Sequence, residues 1–338
     1  MARAAGVSLA TVDRVLNRRA GVRAVTIERV NQAIRDIGFV RNLSAANLAR
    51  GREYRLLFVL PDRDDQFLRL VQSAIAEANR SLAHERVTVN VVHVSATDPH
   101  LITDELDRLS GDLLDGIAIM APETPQVRDA VSRLNARGIA VVAFASAQPN
   151  AEVAQYVGID NEAAGRTVAQ LMGRFTGAAA GRVLALTETM QSRDSQERRH
   201  GFDTVMARFA PRLKVQPSLE SHGDPERTRR ILNAALASAR PIAGIYLMSH
   251  DVQTALETIE QAGLARHTTI IGHELTPNTR ERLSDGRMDA VIAQDVRHMV
   301  RSSIRILRAR ADGLETIASQ ERIRIEIILR ENMPEQSE

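Results

Sequence analysis

The sequence predicts a small all-α head joined to a larger α/β body built on parallel sheets. Three observations predict it. Apolar residues in the first fifty-odd positions recur at helical spacing; from Tyr54 onward, strand-length apolar runs alternate with helical segments; and the charge divides at the same place.

In the head, Gly6-Val7-Ser8 reads as a tight turn closed by a serine N-cap. Only Met1 to Ala5 precede it, about one helical turn. Val12, Val15 and Leu16 at i, i+3, i+4 predict a second helix, and Ile27, Val30 and Ile34 at i, i+3, i+7 a third. In the body, the predicted strands are Arg55 to Leu60, Val87 to Val94, Gly116 to Met120, Ile139 to Phe144, Arg182 to Leu186, Gly244 to Met248, Thr269 to Gly272 and Met288 to Ala293. Between them, Leu70, Val71, Ala74, Ile75 and Ala78 cover one helical face, and Val168, Leu171, Met172 and Phe175 another. Continuous apolar strands alternating with helices mean parallel sheets covered on both faces. Periodicity alone fits one barrel or two open sheets equally. Ser146-Ala147-Gln148-Pro149-Asn150 is the turn-rich stretch at which the chain is expected to cross between two lobes.

Composition narrows the function. The 338 residues are 44% hydrophobic and 25% charged, as in ordinary globular proteins. There is no cysteine, which excludes disulfides, thiolate metal sites and cysteine nucleophiles. Apolar runs such as Gly138 to Ala145 fall far short of the roughly 20 residues of a membrane helix. With no secretory pattern at the N-terminus, a cytoplasmic protein without membrane partners is expected. Residues 1–52 hold ten arginines against Asp13, Glu28 and Asp36, a charge of +7, so the total of +2 leaves −5 on the rest. A basic head on a mildly acidic body suits a polyanion partner for the head, although charge alone also fits a solvated basic face.

The pattern goes further than the charge. Ala4-Ala5-Gly6-Val7-Ser8-Leu9-Ala10-Thr11-Val12-Asp13-Arg14-Val15-Leu16-Asn17 resembles the helix-turn-helix of the LacI/GalR family of bacterial transcription regulators. The likeness continues through Thr26 to Val30, Ile37-Gly38-Phe39 and Asn42 to Gly51. It implies a helix-turn-helix DNA-binding domain over 1–40, a hinge helix and linker over 41–53, and an effector-binding domain over 54–330. On this resemblance Ser8, Thr11, Arg14 and Asn17 contact backbone or base edges, Leu9 and Ala10 sit where operator sequence is set, and Leu48, beside Ala45 in the hinge helix, is a wedge in the minor groove. Two departures stand out: Asp13 replaces the usual serine, and about eight residues of the first helix are missing, which implies a native start upstream of Met1.

The remainder resembles the family's two-lobed, type I periplasmic-binding-protein-like effector domain, with two parallel doubly wound sheets. The supporting motifs are Val157 to Gly165, Arg198-Arg199-His200-Gly201-Phe202, His250-Asp251 and Ile271-Gly272-His273-Glu274. The resemblance implies an N-lobe of about 54–146 plus 296–312 and a C-lobe of about 150–292 plus 315–330. Asp65, Phe67, Arg198, His250, Glu274 and Gln294 would line the interlobe cleft around a small sugar or polyol. A carboxylate can accept two hydroxyl hydrogen bonds, an arginine fork donates in a fixed plane, and Phe67 could cover a sugar's apolar face. Ala145-Ser146-Ala147 stands where sugar-binding relatives often offer an acid.

The expected protein is therefore a ligand-responsive repressor that binds operator DNA as a homodimer, with no cofactor, no metal and no catalytic residues. A transport-type solute-binding protein, or less readily a sugar-acting enzyme, shares the same body. No dinucleotide fingerprint, P-loop, zinc-protease motif or nucleophile elbow supports the enzyme.

Overall fold

A computed structural model of the chain describes residues 2–16, 20–36, 52–109, 114–238, 240–249 and 252–335. These form two compact units, Met1–Glu53 and Tyr54–Glu338.

The head comprises helices α1 (Ala2–Ala5), α2 (Leu9–Leu16) and α3 (Ala24–Asp36). Gly6 turns the chain between α1 and α2 at φ 61°, in the left-handed region that glycine enters without a Cβ penalty. Ser8 caps α2, its Oγ accepting the Thr11 amide at 3.1 Å. Arg29 on α3 closes the turn, Nη2 donating to the carbonyls of Ala5 at 2.9 Å and Gly6 at 3.3 Å. Ala5, Val12, Val30 and Ala33 make the small core, with Val7, Val15 and Ile34 against it. Ile27, expected on the inner row, is 38% exposed; Ala33 takes the inward place.

The body contains two sheets. The first runs β2-β1-β3-β4-β5, all parallel, with β1 Tyr54–Pro61, β2 Val87–Val94, β3 Gly116–Ile119, β4 Ala140–Phe144 and β5 Gln155–Val157. The second runs β12-β11-β10-β9-β6-β7, with β8 also on β6; its strands are β6 Gly181–Thr187, β7 Leu213–Val215, β8 Leu219–Glu220, β9 Ile242–Leu247, β10 Thr269–His273, β11 Ala290–Ala293 and β12 Glu326–Ile328. Only β12 pairs antiparallel among the described strands. Two open sheets, not one barrel, resolve the ambiguity that periodicity left.

The helices of the body are α4 (Gln66–Leu82), α5 (Pro99–Arg108), α6 (Pro125–Ala136), α7 (Asn161–Phe175), α8 (Arg193–Phe209), α9 (Pro225–Leu236), α10 (Gln253–Gln261), α11 (Pro277–Ser284), α12 (Val296–Ala311) and the short α13 (Ala318–Glu321). Strand alternation sorts the core. Leu57, Val59, Ile117, Ile119 and Val141 meet Ile102 and Leu106 of α5 and Val127, Val131 and Leu134 of α6 on one face of the first sheet. Leu56, Phe58, Leu60, Ala118 and Val142 lie in the core with residues of α4 and α12. In the second sheet, Ile245, Leu247, Ile270 and Val291 pack with Leu232, Leu256 and Leu283 of α9, α10 and α11. Both faces are buried, which is why the strands read as continuous apolar runs.

The crossing between lobes departs from expectation. Ser146–Asn150 is a turn within the first lobe, because Gln155, Tyr156 and Val157 add β5 beside β4. The chain leaves the first lobe only after Val157, through Gly158-Ile159-Asp160, and Asp160 caps α7. The first lobe therefore extends about a dozen residues beyond 146. After β11 the chain returns as α12, which packs on α4, β3 and β4, and then supplies β12 to the second sheet.

Candidate functional site: an interlobe cleft and an exposed helix

Hydrogen bonds between the lobes join loops at the carboxyl ends of the strands. Arg63, after β1, donates through Nη1 to Glu188 Oε2, after β6, at 2.9 Å. Arg193 at the start of α8 reaches Glu123, after β3, at 3.2 Å, and the Asn278 amide donates to Gln66 Oε1 at 3.1 Å. The carboxyl ends of both sheets thus face each other, the position at which open parallel sheets take ligands.

Arg198 lies in this region, 2% exposed. Its Nε donates to Asn161 Oδ1 at 2.8 Å and its Nη1 to the Met248 carbonyl at 2.6 Å, at the end of β9. Nη2 makes no hydrogen bond to the described residues. The helices that carry this pair touch at two glycines. A Cβ on Gly165 would overlap the carbonyl oxygen of Arg198, and one on Gly201 would overlap that of Glu162. Close approach of α7 and α8 is what brings Asn161 within reach of Arg198.

Glu274 follows β10 and is also 2% exposed. Its φ of 64° is left-handed, a conformation that costs a side-chain-bearing residue about 1 kcal/mol or more. The Thr279 hydroxyl and the Thr276 amide both donate to its carbonyl, which fixes the strained turn. Gln294 Nε2 donates to Glu274 Oε1 at 2.8 Å. Burial pushes the Glu274 carboxyl up to about 7, against the opposing pull of Arg198 and the Gln294 amide. Gln294 Oε1 and Ser249 Oγ are buried without a hydrogen-bond partner among the described residues, so both have capacity for a polar ligand. Behind them the Tyr246 hydroxyl and His273 Nε2 lie 2.8 Å apart, both side chains fully buried.

The structure thus gathers Arg198, Glu274 and Gln294. Asp65 lies in the loop between β1 and α4, where its carboxylate caps α4 by accepting the Leu68 amide at 2.8 Å and meets Arg63 Nε at 3.4 Å. Phe67 is fully buried in the core at the start of α4. His250 and Asp251 lie outside the described residues. Asn161 lies within the Val157 to Gly165 motif, but no sequence pattern marks it as a site residue beyond its place just after the Asp160 cap. Met248 contributes through its backbone, which no residue pattern announces. Among the described residues, no group of three or more His, Asp or Glu could hold a metal ion.

In the head, Leu9 is 79% exposed, Ala10, Asp13 and Arg14 are exposed, and Thr11 is half-buried. Leu9 and Asp13, like Ala10 and Arg14, lie one turn apart, so all four share one outer face of α2. The Ser8 and Thr11 hydroxyls hydrogen-bond each other at 2.9 Å. Asn17, Ala45 and Leu48 lie outside the described residues.

The sequence profile of the periplasmic binding protein domain matches residues 56–315, and that of the bacterial regulatory proteins, lacI family, matches residues 1–42. The chain belongs to the LacI family, with a periplasmic binding protein domain as its body. The maltose regulon regulatory protein MalI of Escherichia coli is 37% identical over 78 residues, 23% of each chain. The sucrose operon repressor of Vibrio alginolyticus is 31% identical over 91 residues, 27% of this chain and 94% of that one. The matched stretch spans 23% of E. coli MalI and 56% of Vibrio furnissii MalI. In structure, the glucose-galactose binding protein GanP of Geobacillus stearothermophilus superposes with a TM-score of 0.73 at 19% identity, covering 84% of this chain and 99% of that one. A solute binding protein of Actinobacillus succinogenes with bound D-allose gives 0.72 at 16%, covering 82% and 98%. At such identities the likeness establishes the fold of the LacI-family body. No helix among the described residues is long and apolar enough to cross a membrane.

Proposed function

We propose that this LacI-family protein is a ligand-responsive, sequence-specific DNA-binding regulator, a repressor, whose operator affinity changes when a small sugar or polyol binds between its lobes. One observation carries the reading: a lacI-type head with an exposed α2 face shares its chain with a cleft holding a buried arginine, a carboxyl group and an amide. Arg198, Glu274 and Gln294 would contact the effector directly, with Asp65, Phe67 and His250 completing the walls. Ser8, Leu9, Ala10, Thr11, Arg14 and Asn17 would meet the major groove, and Ala45 and Leu48 the minor groove. The working form is a cytoplasmic homodimer, since one helix-turn-helix offers few contacts and paired heads read a pseudo-palindrome.

A solute-binding role is the other reading that the body alone would allow, and the basic head is what disfavours it. The deciding experiment is an operator titration with the purified chain, with and without sugars and polyols first ranked by thermal shift. Operator affinity that changes with a sugar that also raises the melting temperature is the expected result. Tight sugar binding with no sequence-selective DNA binding would overturn the reading in favour of solute capture.

A further inference from the structure

Leu9 is the most exposed of the large apolar side chains among the described residues, at 79%. It opens α2, while Val12, one turn on, is buried in the head's core. The polar groups of the same turn are engaged locally: the Ser8 hydroxyl accepts the Thr11 amide, and the two hydroxyls bond each other. The side chains that this first turn turns outward are therefore Leu9 and Ala10, neither of which can donate or accept a hydrogen bond.

In a helix-turn-helix, the first residues of the second helix meet base edges in the major groove. That groove presents one apolar feature, the C5 methyl of thymine; guanine offers N7 and O6 acceptors, cytosine an N4 amine, and adenine N7 and an N6 amine. Leucine pressed against a guanine or cytosine edge would strip water from groups that then find no partner, an energetic penalty. Against thymine it would cover a methyl group, a gain from the same hydrophobic effect that builds a core. Selection thus works in both directions.

We infer that Leu9 reads the C5 methyl of a thymine in each operator half-site. The inference rests on the proposed DNA-binding function and adds the base chemistry that α2 selects. It accounts for a leucine left in solvent beside a core that would have gained by burying it.

The test uses the full chain. Operators are first selected from random duplex DNA. Each thymine of the selected site is then replaced singly by deoxyuridine, which removes the methyl and nothing else. For the wild type, uracil at one position of a half-site should weaken binding about fourfold. In Leu9→Ala the same replacement should change affinity by less than about 1.5-fold, because the side chain that covers the methyl is gone. Since Leu9 is exposed, the variant should keep the fold, which an unchanged melting temperature checks. A selected operator whose thymines all tolerate uracil, or a uracil penalty that persists in Leu9→Ala, overturns the inference and leaves the regulator reading standing. Failure to enrich any sequence overturns both.

Discussion

Ala145 and Glu274 occupy the same place in the two lobes. Each follows the strand fourth in its lobe's winding, β4 or β10, and each is left-handed, at φ 57° and 64°. The Ala145 amide donates to Val157 of β5, and the Glu274 amide to Ile292 of β11, both at 2.9 Å. The order β2-β1-β3-β4-β5 matches β7-β6-β9-β10-β11 strand for strand, the second sheet adding β12 at its edge and β8 on β6. The same strained turn is repeated at both cleft-facing strand ends, yet one lobe places a methyl there and the other a carboxyl.

That carboxyl gives the body a pH signature. Glu274 is held at about 7 by burial, above the 4.5 of an unburied glutamate. The folded state therefore binds its proton more tightly than the unfolded chain does. The stability from this group is complete below about pH 4.5 and is lost as pH rises through about 7, roughly 3 kcal/mol in all. Glu274→Gln keeps the size and removes the titration. Urea unfolding across this range should show the wild type losing stability relative to the variant, most steeply between the two pH values. Parallel curves would mean that the carboxyl is ordinary. Effector hydroxyls donating to Glu274 favour its charged form, so binding near neutrality should release a proton, measurable by calorimetry in buffers of different ionisation enthalpy.

Arg198 and Asn161 should separate by degree. Arg198→Ala removes a charged donor from the cleft, a loss of about 1.5–3 kcal/mol in effector binding, or more than tenfold. It also leaves Asn161 Oδ1 and the Met248 carbonyl buried without their donor, so the melting temperature should fall as well. Asn161→Ala leaves the Met248 bond intact, and effector affinity should fall only severalfold. Operator titrations with and without effector check both, because each variant should still bind DNA when no effector is present. A normal effector response in Arg198→Ala would remove the guanidinium from the site.

The legibility of this chain divides by length and distance. All eight apolar runs expected as strands are strands; most bury both faces, while the edge strand β2 alternates, with Thr88, Asn90 and His93 exposed. Strands β5, β7, β8 and β12 have two or three residues each, too few for any period, and Gln155-Tyr156-Val157 carries no apolar run at all. Missing β5 moved the expected crossing to the Pro149 turn. In the cleft, Glu274 and Gln294 are legible through the family resemblance, and both follow a strand end, where open parallel sheets take ligands. The bond from Arg198 to Asn161 spans 37 positions and depends on how closely two helices approach, which only the glycines Gly165 and Gly201 hint at.

Those glycines make a third prediction. Gly165→Ala places a methyl into the Arg198 carbonyl, a backbone atom that cannot rotate aside, so α7 and α8 must part. Overpacking of this kind costs about 1–3 kcal/mol, and it acts on the segments that carry Asn161 and Arg198. Loss of melting temperature together with weakened effector response is expected. A variant as stable and as responsive as the wild type would show that the helices have room to spare.

The last prediction concerns which unit holds DNA. Residues 1–52 carry +7 and the rest −5, so the body has no electrostatic reason to approach phosphate. Each phosphate neutralised by an arginine releases condensed counterions, which gives log K a negative slope against log salt of about 0.9 per contact. For the intact chain the slope should be steep and should arise in the head alone. One head arginine serves the fold as well: Arg29 holds the α1 to α2 turn through two backbone carbonyls. Arg29→Ala should therefore lower operator affinity at every salt concentration by loosening the placement of α2, beyond the loss of one charge. Removing residues 1–53 should abolish operator binding while thermal shifts with effector persist, because Tyr54–Glu338 forms a compact unit of its own. Retardation of operator DNA by the truncated body would place the DNA contacts outside the head, and a salt slope unchanged by truncation would do the same.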